Sequence, residues 1–408
     1  MSSARRIVVI GGGPAGCWAA ISAKTQDPAA EVILLTPEYC EPYEKPPLSK
    51  AVLTGKARVE DAPIAGPKGV AGHGVVLACN SICTAINRTS KTVFLANGER
   101  LPYDAVVIAT GAMVRVVPSL PPGMAGVHYL RTEAHARTLR FALERARTVA
   151  VVGAGLIGLE VASSARELGA QVVVIEAAPR ILARVTDEDT GARMHAAHVA
   201  HGVDIRVDTT ISQVHTTPDG RLALTAGGDV VHADIVLVGI GAVPDTRLAA
   251  AAGLALDTGI VVDEFCRTSD PAIFAAGDVV RFPGPHGLAR LEDWRHAQDQ
   301  GAVAGRNAAG ASETYRPVPS FWSEQYDLYL QGVGWNVPRS AHAVRRPLSG
   351  NSAITFDVEG EHLVSALGIN AQREIATARR LIERRIPVKA ADLADPNQPL
   401  ANLLKVKA

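Results

Sequence analysis

This 408-residue chain lacks any excess of charge: 41 basic and 41 acidic residues give a formal net charge of +0. That balance argues against nucleic acid or an anionic membrane as the main partner. It lacks a run of about 18 uninterrupted apolar residues, so nothing reads as a membrane span. The basic opening Ser2-Ser-Ala-Arg-Arg is followed by apolar Ile7-Val-Val-Ile10, but glycines break the stretch at once, and it reads as a first strand rather than a signal peptide. The five cysteines, Cys17, Cys40, Cys79, Cys83 and Cys266, are odd in number and contain no Cys-x-x-Cys pair. This argues against a dithiol active site and fits a reducing cytoplasm. The spacing of Cys79 and Cys83 reads as structural rather than as a disulfide or metal pair. There is no metal-ligand cluster, short-period repeat or low-complexity tract. Aromatic residues are only 4% of the chain, so each tryptophan stands out.

Glycine is plentiful, and it falls into two fingerprints. Gly11, Gly13 and Gly16, with Pro14 and Ala15 between them, follow the strand-like Arg6-Ile-Val-Val-Ile10. Gly153, Gly155 and Gly158, enclosing Leu156 and Ile157, follow Val149-Ala-Val-Val152. In such a motif the first glycine makes the tight turn and the second lets backbone N–H groups approach a pyrophosphate. The third lets the following helix pack on its strand with its N-terminus aimed at the anion. An acidic residue about 20 positions on is expected to accept hydrogen bonds from ribose hydroxyls. Glu38 and Glu176 stand at the ends of the next strand-like runs, Glu31–Leu35 and Gln171–Ile175. One motif binds one dinucleotide, so two predict two ligands held at once, usually a flavin and a nicotinamide.

The length predicts two or three domains. Alternating strand and helix patterns indicate an α/β chain with two Rossmann-like nucleotide-binding domains and a C-terminal α+β domain. Residues 1–112 and 245–318 form the first domain, residues 113–244 the second, set off by the proline-rich stretch 114–123, and residues 319–408 the third. Asp104–Gly111, Asp234–Gly241 and Ala272–Asp278 read as buried strands, with a β-rich excursion at 74–101 and a helix at 371–385. Asp278 arrives at a strand's carboxyl end, where it serves either a ribityl or ribose hydroxyl or the N-cap of a helix.

The stretch Pro42-Tyr-Glu-Lys-Pro-Pro-Leu-Ser-Lys50 resembles the signature of the FAD-dependent ferredoxin reductases, the glutathione-reductase-like partners of Rieske oxygenases and bacterial cytochrome mono-oxygenases. Further matches span nearly the whole chain: Thr110-Gly111, Gly155-Leu-Ile-Gly-Leu-Glu160, Ala276-Gly-Asp278, Arg290-Leu-Glu-Asp-Trp-Arg-His-Ala297 with Gln300-Gly301, and Pro319-Ser-Phe-Trp-Ser-Glu-Gln-Tyr326. The resemblance implies an FAD domain interrupted by an NAD domain, with a C-terminal domain covering the flavin. It assigns to FAD the motif positions Gly11, Gly13, Pro14, Ala15, Gly16, Glu38, Lys45, Lys50, Thr110, Gly111, Arg131, Gly277 and Asp278, with Ala297 near the flavin ring. It assigns to NADH Gly153, Gly155, Leu156, Ile157, Gly158, Glu160, Glu176, Arg184 and Gly241. Three departures stand out: Glu44-Lys45 in place of Asp-Arg, His296 in place of Asn, and Glu324 in place of Asp. Lys45 cannot make the planar two-pronged contact of an arginine.

The catalytic assignments also follow the resemblance. Bare sequence leaves Lys50 and Glu160 as an ordinary solvated lysine and a helix-surface glutamate. The matched motifs make them a pair, the lysine placing positive charge near flavin N5 and the carboxylate positioning the nicotinamide amide. Trp322 is expected to stack on the flavin, against the alternative of domain packing, while Trp294 props the Ala297 backbone. Glu176 would repel a 2′-phosphate and so favours NADH over NADPH, softened by the nearby Arg180 and Arg184.

The activity implied is NADH-dependent reduction of a [2Fe–2S] ferredoxin that feeds an oxygenase of aromatic hydrocarbon catabolism, by a cytoplasmic monomer or homodimer with no metal of its own. Two alternatives are weighed against it: a peroxidase or disulfide reductase using Cys40, and a redox-sensing NADH-binding scaffold. Docking of an acidic ferredoxin is expected at Arg373, Arg380 and Arg384, which recur at helical spacing, with Arg345-Arg346 in the same domain.

Overall fold

The computed structural model describes residues 4–335 and 343–405. Residues 1–3 of the first predicted domain and 336–342 and 406–408 of the third lie outside them. The chain divides into two compact units, each discontinuous in sequence. The first comprises Met1–Pro46, Arg58–Met113 and Ala242–Pro317, and the second Pro47–Ala57, Val114–Gly241 and Val318–Ala408.

In the first unit, five parallel strands run in the order Ile273–Ala275, Ala105–Ile108, Arg6–Ile10, Glu31–Leu35, Val76–Ala78. Both faces of such a sheet are covered, so its strands are continuous apolar runs with no polar alternation, and Ile7, Val8 and Val9 are completely buried. The helix Pro14–Gln26 begins with proline at a position whose N–H would have no partner within the helix. It lies against the helix Trp294–Ala308 at backbone distance, because a Cβ on Gly301 or Gly305 would overlap the carbonyl oxygens of Ala15 and Ala19. The β-rich excursion contributes Val76–Ala78 to the main sheet and a separate antiparallel sheet of Cys83–Asn87, Thr92–Leu95 and Arg100–Pro102.

In the second unit a matching parallel sheet has the order Val203–Arg206, Gln171–Ile175, Thr148–Val152, Ile235–Val238, Val127–His128. A three-stranded antiparallel sheet, Ile211–Thr216, Leu222–Ala226 and Asp229–Ala233, is inserted before its fourth strand. The Gly227-Gly228 turn, at φ 61° and 95°, supplies the two left-handed residues that a tight hairpin needs. Its apolar residues Leu222, Leu224 and Ala226 share a core with Val152, Ile175 and Val236.

The C-terminal portion is an antiparallel sheet ordered Ser320–Gln325, Leu328–Gly334, His362–Ile369, Ala353–Glu359, Val344–Pro347. The helix Gln372–Glu383 buries Ile375, Ala378 and Leu381 against Ile354 and Phe356.

Two particulars differ from the sequence reading. The segment Pro47–Ala57, placed by sequence in the first domain, belongs to the second unit. Ser164 Oγ donates to the Ser49 carbonyl at 2.7 Å, and Lys56 pairs with Glu167 at 2.5 Å. Arg346 is not a surface charge. Its side chain is buried and donates to the carbonyls of Leu393 at 3.1 Å and Gln398 at 2.6 Å, pinning the chain end rather than presenting a docking surface.

Candidate nucleotide-binding and redox site

The two glycine fingerprints adopt the same geometry. Gly11 and Gly153 have φ of 120° and 101°, accessible to glycine at little cost. A Cβ on Gly16 would overlap the Gly11 carbonyl oxygen, and one on Gly158 the Gly153 carbonyl oxygen. These third glycines are therefore required by close packing of strand, turn and helix. The middle glycines behave differently, since a Cβ on Gly13 or Gly155 would meet nothing within 4 Å. Each is the N-cap of its helix, Pro14–Gln26 or Leu156–Glu167, with no side-chain cap and no acidic residue in the first turn. By contrast Thr132, Asp187 and Asp293 cap their helices with side-chain oxygens. Two helix N-termini thus have no side-chain cap and open space beside their N-cap glycines, which suits a pyrophosphate at each.

The two acids are held in different ways. Glu176 accepts from the backbone N–H groups of Ala154 at 2.6 Å and Ala178 at 2.8 Å, which fixes its carboxylate beside the Gly153–Gly158 turn. Glu38 accepts from Tyr43 Oη at 2.6 Å and pairs with Lys45 at 2.7 Å, so two residues assigned separately to FAD meet each other. Arg184 Nη2 would lie 3.6 Å from a Cβ on Gly241, bringing those two NADH candidates together. Arg180 instead donates to Thr186 and to the carbonyls of Ala183 and Thr186. It is committed to shaping its own loop rather than to offsetting Glu176.

Among the remaining candidates of the first unit, Gly277 lies beside Ala15 and Ala297. Gly277, at φ 85°, would bring a Cβ to 2.8 Å from Ala15 Cβ and 3.7 Å from Ala297 Cβ, and its N–H donates to Gln300 Oε1 at 2.8 Å. Asp278 follows it in a turn leading to the strand Val280–Gly284; no helix starts there, which removes the N-cap reading. Thr110 Oγ1 donates to the Asp245 carbonyl at 2.8 Å, and Gly111 has φ 68°. His296 is buried with Nδ1 2.8 Å from Tyr315 Oη, and burial pushes its pKa down to about 4, so the ring is neutral. The Trp294 indole donates to Glu44, whose carboxyl is shifted upward by burial and partly restored by that bond. Gln300 Nε2 is buried without a hydrogen-bond partner, leaving donor capacity beside Gly277.

Lys50, Arg131 and Trp322, expected at FAD, belong to the second unit. Arg131 precedes the helix Glu133–Leu143, and Trp322 lies half-buried on the strand Ser320–Gln325. Lys50 Nζ lies 2.8 Å from Glu160 Oε2, so the two proposed catalytic residues form an ion pair. Glu160 is only 5% exposed. It also accepts from Ser49 Oγ, and from Ser323 Oγ at 2.6 Å. Burying a charge is tolerated when it is paired and hydrogen-bonded in this way. The sequence reading missed the two serines as partners. Both sit inside motifs already singled out, Pro46-Pro-Leu-Ser-Lys50 and Phe321-Trp-Ser323, but no spacing rule joins residues so far apart.

None of the five cysteines is in a disulfide. Burial pushes Cys17 up to about 12 and Cys83 up to about 11, so neither is poised as a thiolate. Among the described residues no group of acidic, histidine and cysteine side chains forms a metal site, and no helix is long and apolar enough to cross a membrane.

Comparison with known proteins identifies the family. The family model described as pyridine nucleotide-disulphide oxidoreductase matches residues 5–301, and the reductase C-terminal model matches 320–404. The chain is 38% identical to rhodocoxin reductase of Rhodococcus erythropolis, over 95% of this chain and 92% of that protein. It is also 38% identical to the anthranilate 1,2-dioxygenase system ferredoxin–NAD(+) reductase component of Burkholderia cepacia, over 98% and 100%. The covalent putidaredoxin reductase–putidaredoxin complex superposes with a TM-score of 0.92 at 32% identity, over 98% of each chain. The chain belongs to the FAD-dependent ferredoxin reductases, oxidoreductases that bind FAD and NAD(H) and carry the pyridine nucleotide-disulphide oxidoreductase fold with a reductase C-terminal domain.

Proposed function

We propose that this protein oxidises NADH and delivers the electrons through FAD to a [2Fe–2S] ferredoxin, which supplies a Rieske or cytochrome oxygenase acting in aromatic hydrocarbon catabolism. The observation that carries the reading is the pair of uncapped, glycine-walled helix N-termini, each with a carboxylate at the end of its second strand. Relatives named as reductase components of dioxygenase systems, and a like-folded reductase captured with putidaredoxin, support the ferredoxin as acceptor.

Bound FAD supplies the exchange between a two-electron hydride donor and a one-electron acceptor. The chain's own residues bind, orient and screen. Gly11 to Gly16 cradle the FAD pyrophosphate at the start of the helix Pro14–Gln26, with Glu38, Lys45, Thr110, Gly111, Arg131, Gly277 and Asp278 completing the cofactor contacts. Ala297 and Trp322 provide apolar surface for the flavin ring. Gly153 to Gly158 receive the NADH pyrophosphate; Glu176 takes the adenosine ribose, with Arg184 and Gly241 alongside. Glu160 orients the nicotinamide amide, and Lys50 holds a compensating positive charge against it. The domains follow suit, with 1–112 (apart from the segment Pro47–Ala57) and 245–318 serving FAD, 113–244 serving NADH, and 319–408 forming the third. The ferredoxin meets the exposed face of Arg373, Arg380 and Arg384. The protein works in the cytoplasm as a monomer or homodimer.

The test is spectroscopic. The purified protein reconstituted with FAD is expected to show flavin absorbance bands that NADH bleaches under anaerobic conditions. A reconstituted protein without flavin bands, or with bands that NADH leaves intact, overturns the reading.

A further inference from the structure

The Glu160 carboxylate ends a line of hydrogen bonds running through three buried side chains that no motif role accounts for. Ser323 Oγ lies 2.6 Å from Glu160 Oε1, Gln325 Nε2 lies 2.9 Å from Ser323 Oγ, and His198 Nε2 lies 2.8 Å from Gln325 Oε1. On the far side of the imidazole, Tyr326 Oη lies 3.3 Å from Nδ1, and the Tyr326 ring stacks on His201 at 3.7 Å between centroids. Glu160, Ser323, Gln325 and His198 are each at most 5% exposed. The line joins the helices Leu156–Glu167 and Glu188–Ala200 to the strand Ser320–Gln325, all within the second unit.

The chemistry of the donors gives this line one direction. A carboxylate paired with the Lys50 ammonium can only accept, so Ser323 must donate to it. The Ser323 oxygen is then the acceptor for an amide N–H, which fixes Gln325 with its nitrogen toward Ser323 and its carbonyl toward His198. That carbonyl needs a donor, so His198 carries its proton on Nε2 and leaves Nδ1 to accept from Tyr326. Burial lowers the His198 pKa below the usual imidazole range, in keeping with a neutral ring bearing a single proton.

We propose that Ser323, Gln325 and His198 are positioning residues for the nicotinamide step: a one-way hydrogen-bond line, its direction set by the charge on Glu160, that holds this carboxylate in a single orientation. The proposal rests on the assignment of Glu160 to the nicotinamide. A polar network that merely fills a core is satisfied in either direction and leaves the reaction untouched, whereas here the His198 tautomer reports the state of Glu160.

Glu160→Gln makes the coupling visible. Its carbonyl faces Lys50 and Ser49, so its amide nitrogen faces Ser323, and each bond along the line reverses. Gln325 turns over, His198 Nε2 becomes an acceptor, and the proton moves to Nδ1. The experiment is nitrogen NMR of the FAD-loaded full chain with labelled histidine, combined with anaerobic stopped-flow reduction by NADH. The unmodified protein is expected to show the Nε2–H tautomer of His198, and Glu160→Gln the Nδ1–H tautomer. Gln325→Met, similar in size but with no N–H, is expected to slow flavin reduction at saturating NADH by about tenfold, the rate equivalent of one hydrogen bond to a charged network. His198→Gln, which keeps a donor, should retain most of the rate that His198→Phe loses. A charged or Nδ1–H imidazole in the unmodified protein, or an unchanged tautomer in Glu160→Gln, overturns the proposal. A rate reduced by Glu160→Ala but not by Gln325→Met removes the positioning role and leaves the Glu160 assignment standing. A rate indifferent to Glu160→Ala refutes that assignment, and the positioning role falls with it.

Discussion

Cofactor choice should respond to Glu176 in a way whose size follows from the structure. The carboxylate is half-buried and held by two backbone N–H groups, at 2.6 Å from Ala154 and 2.8 Å from Ala178, so it cannot swing away from a ligand at the adjacent turn. A 2′-phosphate taking the place of the ribose hydroxyl would add negative charge beside it, and the repulsion is taken at a separation of about 5 Å. At an effective dielectric constant of about 20, each unit of phosphate charge is repelled by about 3 kcal/mol. Partial exposure and salt reduce this to about 1.5 kcal/mol, a preference for NADH of roughly tenfold. Glu176→Gln removes the charge while keeping an acceptor for one of the two N–H groups, and should raise the NADPH specificity constant by about that factor. Glu176→Ala removes the same repulsion but leaves both N–H groups without a partner, so NADH turnover should fall as the NADPH-to-NADH ratio rises. The assay is steady-state turnover with ferricyanide, each cofactor varied in turn. Equal specificity constants for the two cofactors in the unmodified enzyme, or an unchanged ratio in both variants, would refute the reasoning.

Other substitutions separate the remaining roles. Cys40→Ser should leave NADH-to-ferricyanide turnover nearly intact while Glu160→Ala slows stopped-flow flavin reduction; the opposite pattern would favour thiol chemistry. Gly16→Ala drives a methyl group into the Gly11 carbonyl and should abolish FAD retention, whereas Gly158→Ala, with the same clash at Gly153, should weaken NADH binding while flavin absorbance persists. Because burial raises the Cys17 and Cys83 thiols to about 12 and 11, both are protonated at pH 8 and should resist iodoacetamide until the protein is unfolded, as mass spectrometry would report. Reversing Arg380 and Arg384 to Glu should raise the apparent KM for ferredoxin and spare ferricyanide reduction. The effect should shrink as salt rises, because the Debye length is only about 8 Å at physiological ionic strength; unchanged ferredoxin kinetics would move the docking surface elsewhere.

The parallel sheets were legible because buried strands leave an unbroken apolar record. Arg6–Ile10, Glu31–Leu35 and Gln171–Ile175 match their expected bounds, while the ends of Asp104–Gly111, Asp234–Gly241 and Ala272–Asp278 shorten, to Ala105–Ile108, Ile235–Val238 and Ile273–Ala275. The glycine turns were legible for a related reason, since backbone overlap leaves no other residue type at Gly16 or Gly158. Long-range polar pairing was not. Nothing in the composition of Pro47–Ala57 reveals that its Ser49 carbonyl is claimed by Ser164, and His198 lies on a helix whose sequence carries little amphipathic pattern to mark its buried face. Arg346 shows the same limit, as an arginine beside another arginine reads as surface charge until its carbonyl partners are seen.

The central claim is that electrons entering from NADH leave one at a time to a [2Fe–2S] ferredoxin. The most direct measurement is anaerobic stopped-flow spectroscopy, mixing the NADH-reduced, FAD-loaded protein with oxidised ferredoxins of the [2Fe–2S] class. Flavin absorbance should recover as the iron–sulfur bands bleach, with two ferredoxins reduced for each NADH consumed. Flavin that NADH reduces but no [2Fe–2S] ferredoxin reoxidises would contradict it.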